Sequence, residues 1–253
     1  MDYDRPIPPD ETRRISVTFG MLYVLTFITS IPALYLFQPV LDDPVGYVTG
    51  AGDTNRIVLG AVLELILILA NIGTAVVIYP LLKRENEGLA LGYVAARIME
   101  STFILVGILS VLAVVTLQQD ATAADQRMFG SIAYTLAAIK DWTFLLGPGF
   151  VVGIGNGLLL GYLMYRSGLV PPRMAWLGLI GGPLIILSGV AVMFGVGQPG
   201  GALQGIATLP EILWELCLCI YPIVWGFRAA PLLKGTRRAA AAPPPIPPEA
   251  APA

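Results

Sequence analysis

The chain has 253 residues, with 15 Lys+Arg against 17 Asp+Glu and no histidine. Charged residues make up 13%, about half of what a soluble domain carries, while apolar residues make up 56% and mean hydropathy is +0.75, so an ordinary soluble domain is excluded and an integral membrane protein expected. A net charge of -2 offers nothing to nucleic acid, and without histidine there is no Ser-His or Cys-His nucleophile pair and no His-ligated zinc or haem.

A span needs about 20 mostly apolar residues to cross a hydrocarbon core of about 30 Å, and six stretches meet that requirement. Residues 1–14 are a polar tail rich in acids and prolines, unlike a signal peptide. The first span covers 16–37 and contains Pro32. The second, 57–82, carries Glu64 and Asn71, seven residues apart and so on one face. The third, 89–117, carries Arg97 and Glu100, which are three apart and within reach of each other. Residues 121–140 mix helix formers with Asp125, Gln126, Arg127 and Lys140. They are read as a short interfacial or re-entrant helix leading into the fourth span, with a seventh span as the alternative.

The fourth span, 142–165, has Asp141 at its outer mouth, Pro148 and Asn156 inside it, and Gly149, Gly153, Gly157 and Gly161 at intervals of four. This glycine-zipper pattern draws a slowly drifting stripe that lets a neighbouring backbone come close. Its expected use is packing within the chain; the alternative is a homodimer face. Lys140 beside Asp141 reads as a solvated interface pair. The fifth span, 174–196, holds Gly178, Gly182 and Pro183. Gly195, Gly197 and Gly200 fit G-x-G-x-x-G but follow a membrane helix rather than a strand, so they are no dinucleotide fingerprint. A polar external loop over 195–205 is expected instead.

The sixth span, 209–227, carries Glu211, Glu215, Cys217, Cys219 and Pro222. Glu211 beside Pro210 reads as an interfacial helix-start pair. Cys217 and Cys219 point to nearly opposite faces and so neither pair nor share a metal. The four tryptophans, Trp142, Trp176, Trp214 and Trp225, fall where spans meet the interface. The final residues, 239–253, are almost entirely Ala and Pro and are expected to be disordered.

Charge placement orients the bundle. Arg5, Arg13, Arg14, Lys83, Arg84, Arg166, Arg173, Arg228, Lys234, Arg237 and Arg238 fall on one side of six spans; Arg56, Arg127 and Lys140 fall on the other, and Arg97 lies within a span. By the positive-inside rule both termini are cytoplasmic. The expected organisation is all-α: a cytoplasmic tail over 1–14, a six-helix transmembrane bundle over 15–228, and an Ala/Pro-rich cytoplasmic tail over 229–253. Arginine outnumbers lysine among abundant Ala, Gly and Pro, a composition associated with GC-rich bacterial genomes, so the bacterial cytoplasmic membrane is the expected location.

Ionisable groups inside spans are costly and mark function by default. Glu64, Asn71, Arg97, Glu100, Asp141, Asn156 and Glu215 form the candidate polar pocket. Helix rise places Glu64, Asp141, Glu211 and Glu215 in an outer layer and Asn71, Arg97 and Glu100 in a deeper one. Four glutamates against one arginine cannot all be ionised without partners; some should hold a proton or a cation. Two readings stand side by side. In one, Arg97 pairs with Glu100 or Glu64 and the remaining acids are interhelical glue. In the other, Glu64, Arg97, Glu100 and Glu215 line a pocket that binds a substrate or relays protons.

The runs ANIGTAVVIYPLLKRENE (70–87), LGYVAARIMES (91–101), DWTFLLGPG (141–149), LMYRSGLVP (163–171), LGLIGGP (177–183) and WEL (214–216) resemble the bacterial integral membrane family known as domain of unknown function 4386. The resemblance covers about 14–228 and implies a multi-pass membrane protein. It implies no reaction, substrate or cofactor, and places Arg97, Glu100, Asp141, Arg166 and Glu215 within family-like motifs. The functional expectation is binding or transport of a small molecule or ion through the Glu/Arg pocket; a structural or accessory role through helix packing and partner contacts is the alternative. No catalytic residue, metal site or cofactor is assigned, and membrane-enzyme chemistry, which would have to run on carboxylates alone, is the weakest reading. The expected partners are the lipid bilayer and a small molecule or ion, and not nucleic acid; no oligomeric state is assigned.

Overall fold

The computed structural model describes residues 6–122 and 126–234. Arg5, Asp125, Arg237, Arg238 and the Ala/Pro run over 239–253 lie outside them. Among the described residues, six helices are long and apolar enough to cross a membrane: α1 (Pro9–Asp42), α2 (Thr54–Leu82), α3 (Glu87–Asp120), α4 (Arg127–Ser167), α5 (Pro172–Met193) and α6 (Ala202–Val224).

Local chemistry sets their ends. α1 and α5 each start on a proline, whose missing N–H costs nothing in a first turn, and α1 adds Asp10 and Glu11 there to face the positive end of the helix dipole. The Asp53 side chain caps α2 by accepting from Asn55 N and Arg56 N, and Asn86 caps α3 by accepting from Leu89 N at 2.9 Å. Gly168 ends α4 in a left-handed conformation at φ 69°.

The helices close a ring in chain order, each packed on the next and α6 packed back on α1. At one end the described segments before α1 and after α6 and two turns tie together. Ile7 N donates to Leu233 O at 3.0 Å, Arg228 N to Leu169 O at 2.9 Å, Arg84 Nη1 to Leu232 O at 3.3 Å, and Arg13 Nη2 to Ile223 O at 2.6 Å. The N-terminal segment, the α2–α3 and α4–α5 turns and the segment after α6 therefore share one end, as six spans require. Around the ring, large apolar side chains such as Leu69, Leu109 and Leu187 are more than half exposed. In water such a belt would drive aggregation; in a bilayer it is what a span presents.

α4 is unusual. The stretch expected to form a short helix before the fourth span is helical from Gln126 and runs into that span unbroken. The path continues as π-helix over Leu145–Val151 and Gly153–Leu160, then returns to α-helix over Gly161–Ser167. Pro148 cannot donate its i→i−4 bond, and the adjacent glycines lower the cost of widening the turn. Gly153, Gly157 and Gly161 back onto α5: a Cβ on Gly153 would lie 2.7 Å from Gly182 O, one on Gly157 2.8 Å from Gly182 N, and one on Gly161 3.3 Å from Leu179 N. Gly149 instead faces Gln204 of α6.

Three expectations change. α6 begins at Ala202, not near 209, so the loop after α5 is shorter than 195–205. Its glycines Gly195, Gly197 and Gly200 supply positive φ to a tight connection. The early start puts Glu211 well inside a helix, about 13 Å from its first residue at 1.5 Å per residue, rather than at an interface. Trp214 is fully buried, whereas Trp142, Trp176 and Trp225 are exposed.

Candidate functional site

Four polar groupings meet inside the ring. In the first, Lys140 of α4 reaches Glu64 of α2, its Nζ lying 2.7 Å from Oε1 and 2.6 Å from Oε2. Both residues are only 4% exposed, and the ammonium lies 4.7 Å from the centroid of the Phe37 ring. The expectation of a solvated Lys140–Asp141 pair is thus overturned. Gly107 of α3 makes the reach possible, since a Cβ there would lie 2.9 Å from Lys140 Cδ.

The second grouping is a closed triad. Arg97 Nη1 donates to Glu100 Oε2 at 2.7 Å, Arg97 Nη2 to Asn71 Oδ1 at 2.8 Å, and Asn71 Nδ2 to Glu100 Oε1 at 2.9 Å. All three side chains are buried. The i,i+3 spacing on α3 brings Arg97 beside Glu100, and Asn71 on α2 satisfies what each leaves open.

The third is built on Asn156, in the second π-helical stretch. Its Nδ2 donates to Glu215 Oε1 at 2.7 Å, its Oδ1 accepts from the Tyr23 hydroxyl, and its backbone carbonyl accepts from Trp214 Nε1 at 3.1 Å. Tyr23 pairs in turn with the Tyr93 hydroxyl at 3.1 Å, and its ring centroid lies 5.6 Å from the Arg97 guanidinium carbon. The second and third groupings therefore touch.

The fourth is Glu211. It is 2% exposed, and neither carboxylate oxygen has a hydrogen-bond partner. Its Oε2 lies against the glycine seam, 2.8 Å from where a Cβ on Gly181 would sit and 2.9 Å from one on Gly157. Glu215 follows one turn later on the same face and is partly exposed.

Glu64, Asn71, Arg97, Glu100, Glu211 and Glu215 all line one cavity of about 280 Å³. The outer and deeper layers expected from helix rise thus meet around one space. Asn156 is absent from that lining and acts from behind, holding Glu215. Asp141 is exposed and lies outside the cavity, which removes it from the candidate pocket, because the face of α4 that looks inward at this level carries Lys140. Sequence reasoning missed Lys140, Glu211 and the Tyr23–Tyr93 pair. The four-residue spacing of Glu211 and Glu215 was the available signal for Glu211; Gly107 opposite Lys140 left no mark that spacing could reveal.

The charge count sets the chemistry. Lys140 offsets Glu64, and Arg97 offsets Glu100. Glu215 receives only the neutral amide of Asn156, and Glu211 receives nothing. Beyond these carboxylates the cavity wall is mostly apolar, with Phe27, Ile31, Leu67, Ile104 and Ile185 among its residues. Among the described residues no three of His, Cys, Asp and Glu are placed to hold a metal ion.

The family model for the Domain of unknown function (DUF4386) matches residues 18–226. Comparison with curated proteins and with solved structures gave no match.

Proposed function

The chain belongs to the family described as Domain of unknown function (DUF4386), and we propose that it binds a small molecule or ion in the acid-lined cavity and carries it across the membrane. The observation that carries this reading is the convergence of six intramembrane polar side chains from α2, α3 and α6 on one open space. Ionisable groups are expensive at this depth and are retained where they meet a solute, an ion or each other. The Lys140–Glu64 pair and the Arg97–Glu100–Asn71 triad meet each other and serve as bundle glue. Glu211 and Glu215 are left to face a solute. The π-helical path of α4 fits the same reading, since Pro148 and the widened turn around it border the cavity. The setting is the bacterial cytoplasmic membrane, with the end that gathers Arg13, Arg84, Arg166 and Arg228 in the cytoplasm.

Charge movement in proteoliposomes adsorbed on a solid-supported membrane tests this directly. Jumps of sodium, potassium, choline, benzyltrimethylammonium and succinate are applied in turn. At least one is expected to give a transient current that Glu215→Gln reduces tenfold or more in protein that still elutes as a monodisperse species. No current with any of the five, or equal currents from wild type and Glu215→Gln, would reject the reading in favour of a structural role for the whole polar layer.

A further inference from the structure

We propose that the ligand of this cavity is an organic cation with an apolar body, reached from the bilayer between α1 and α6 and held by Glu211 and Glu215. The inference rests on the binding role proposed above and specifies its ligand.

Charge is the first argument. After the two internal pairs are closed, the cavity keeps two carboxylates on one face of α6, and Arg97, the only cation among the described residues that line it, is already engaged by Glu100 and Asn71. An anion would meet both carboxylates; a neutral solute could donate a hydrogen bond but would leave Glu211 without a counter-charge. A buried carboxylate without a partner carries a desolvation cost that a cation removes. Glu211 is such a group, 2% exposed and unbonded at both oxygens.

Donor geometry and wall chemistry narrow the cation. A bare divalent ion asks for six or more oxygens in one shell, and although four glutamates line the cavity, among the described residues no three of His, Cys, Asp and Glu are placed to hold one metal ion. A diffuse organic cation asks only for carboxylates on one side and apolar or aromatic surface on the others. Phe27 and Phe144 lie in the same wall as Ile31, Leu67, Ile104 and Ile185.

The position of the opening is the third argument. α1 and α6 are bonded at the cytoplasmic end, where Ser16 Oγ donates to Pro222 O and Gly20 abuts Ile223. Above that contact, the residues that line the cavity and are also exposed are apolar: Ile31 at 47% and Leu34 at 36% on α1, Ile212 at 38% on α6, and Phe144 at 36% on α4 beside them. These belong to membrane-spanning helices, so the mouth they frame faces acyl chains. A second cavity of about 230 Å³ adjoins it through Phe144, Pro148, Ile185, Thr208 and Ile212 and leads towards Gly200 and Gln204, which gives the lateral route an aqueous competitor to be tested against.

Equilibrium dialysis of radiolabelled benzyltrimethylammonium against the full chain in nanodiscs, with empty nanodiscs as the blank, tests the ligand class. Saturable binding is expected, weakened tenfold or more by Glu211→Gln and by Glu215→Gln. Tetramethylammonium should compete at least tenfold less well, and benzyl alcohol and benzoate should not compete. Equal competition by tetramethylammonium or sodium, or unweakened binding by both Gln variants, would overturn the organic-cation assignment while leaving the solute-jump currents, and so the binding role, intact. Loss of both dialysis binding and every current would bring down the underlying reading instead. For the route, Ile31→Trp at the mouth, which lines only the main cavity, should slow association fivefold or more with little change in equilibrium binding. If Gln204→Trp slows association and Ile31→Trp does not, the ligand enters from the outer aqueous side and the lateral route is wrong.

Discussion

Lys140 and Glu64 illustrate what one buried charge demands of its neighbours. Taking either from water costs several kcal/mol, and the pair recovers this only because the ammonium lies within 2.7 Å of both carboxylate oxygens with an aromatic face below it. Removing one partner leaves the other buried and uncompensated. Lys140→Met should therefore destabilise the bundle by about 3–5 kcal/mol, seen as a lower thermal midpoint in detergent. The pair Lys140→Met with Glu64→Leu should recover most of that loss, since apolar groups of similar volume often replace a buried ion pair at no cost. A double variant as unstable as the single one would mean that the Glu64 carboxylate has work beyond pairing with Lys140. Asn156 differs because it bonds to two other helices at once, α1 and α6. Asn156→Ala would leave the Tyr23 hydroxyl only its contact with Tyr93 and free Glu215, so it should alter solute-jump currents as well as stability, whereas a purely structural asparagine would lower stability alone.

At the scale of elements, α4 and α6 hold most of what the sequence leaves hidden. The apolar length of each span is legible because lipid imposes it on every residue that faces outward. The same pressure does not act on the first turns of α6, where Gln204, Gly205 and Thr208 dilute the apolar signal. A hydropathy reading therefore starts the helix late and strands Glu211 at an interface it does not occupy. The π-helical turns of α4 are hidden for a different reason. They follow from Pro148 and its glycines acting together with the close approach of α5, and no periodicity in the chain records that approach. The glycines themselves are legible, and their spacing predicts a face where a backbone comes near. On that face Gly157 meets the Gly182 backbone and the Glu211 carboxylate at once. Gly157→Leu should force α4 from α5, lowering the thermal midpoint and displacing Glu211. Gly92→Leu, whose would-be Cβ meets only the flexible end of Leu159 at 3.4 Å, should be nearly silent in the same melt.

For the whole molecule, the strongest statement in the sequence is the distribution of cations, and the bundle gives it a physical form. Residues scattered from Arg13 to Lys234 fall at one end because six crossings return the chain to its starting side, and there Arg13 and Arg84 also hydrogen-bond carbonyls of the segment around α6 and beyond. Lys140, counted by position among the few cations of the opposite side, proves to be buried against Glu64, so that side is left with still fewer free cations among the described residues. The asymmetry is thus sharper than a count along the chain suggests, and it is expected to set the orientation, because cationic loops resist translocation. Alkaline phosphatase, active only outside the cytoplasmic membrane, reads this out. Fusions ending at Gly168, in the α4–α5 turn, or at Lys234 should be inactive; fusions ending at Gly52 or Pro199 should be active. Neutralising Lys83, Arg84, Arg166 and Arg173 together should weaken that contrast, whereas Arg56→Gln should leave it unchanged. Active fusions at Gly168 and inactive ones at Pro199 would invert the bundle. The route through the α1–α6 mouth would still lead from the bilayer to Glu211, but the cavity would then open nearer the cytoplasmic leaflet.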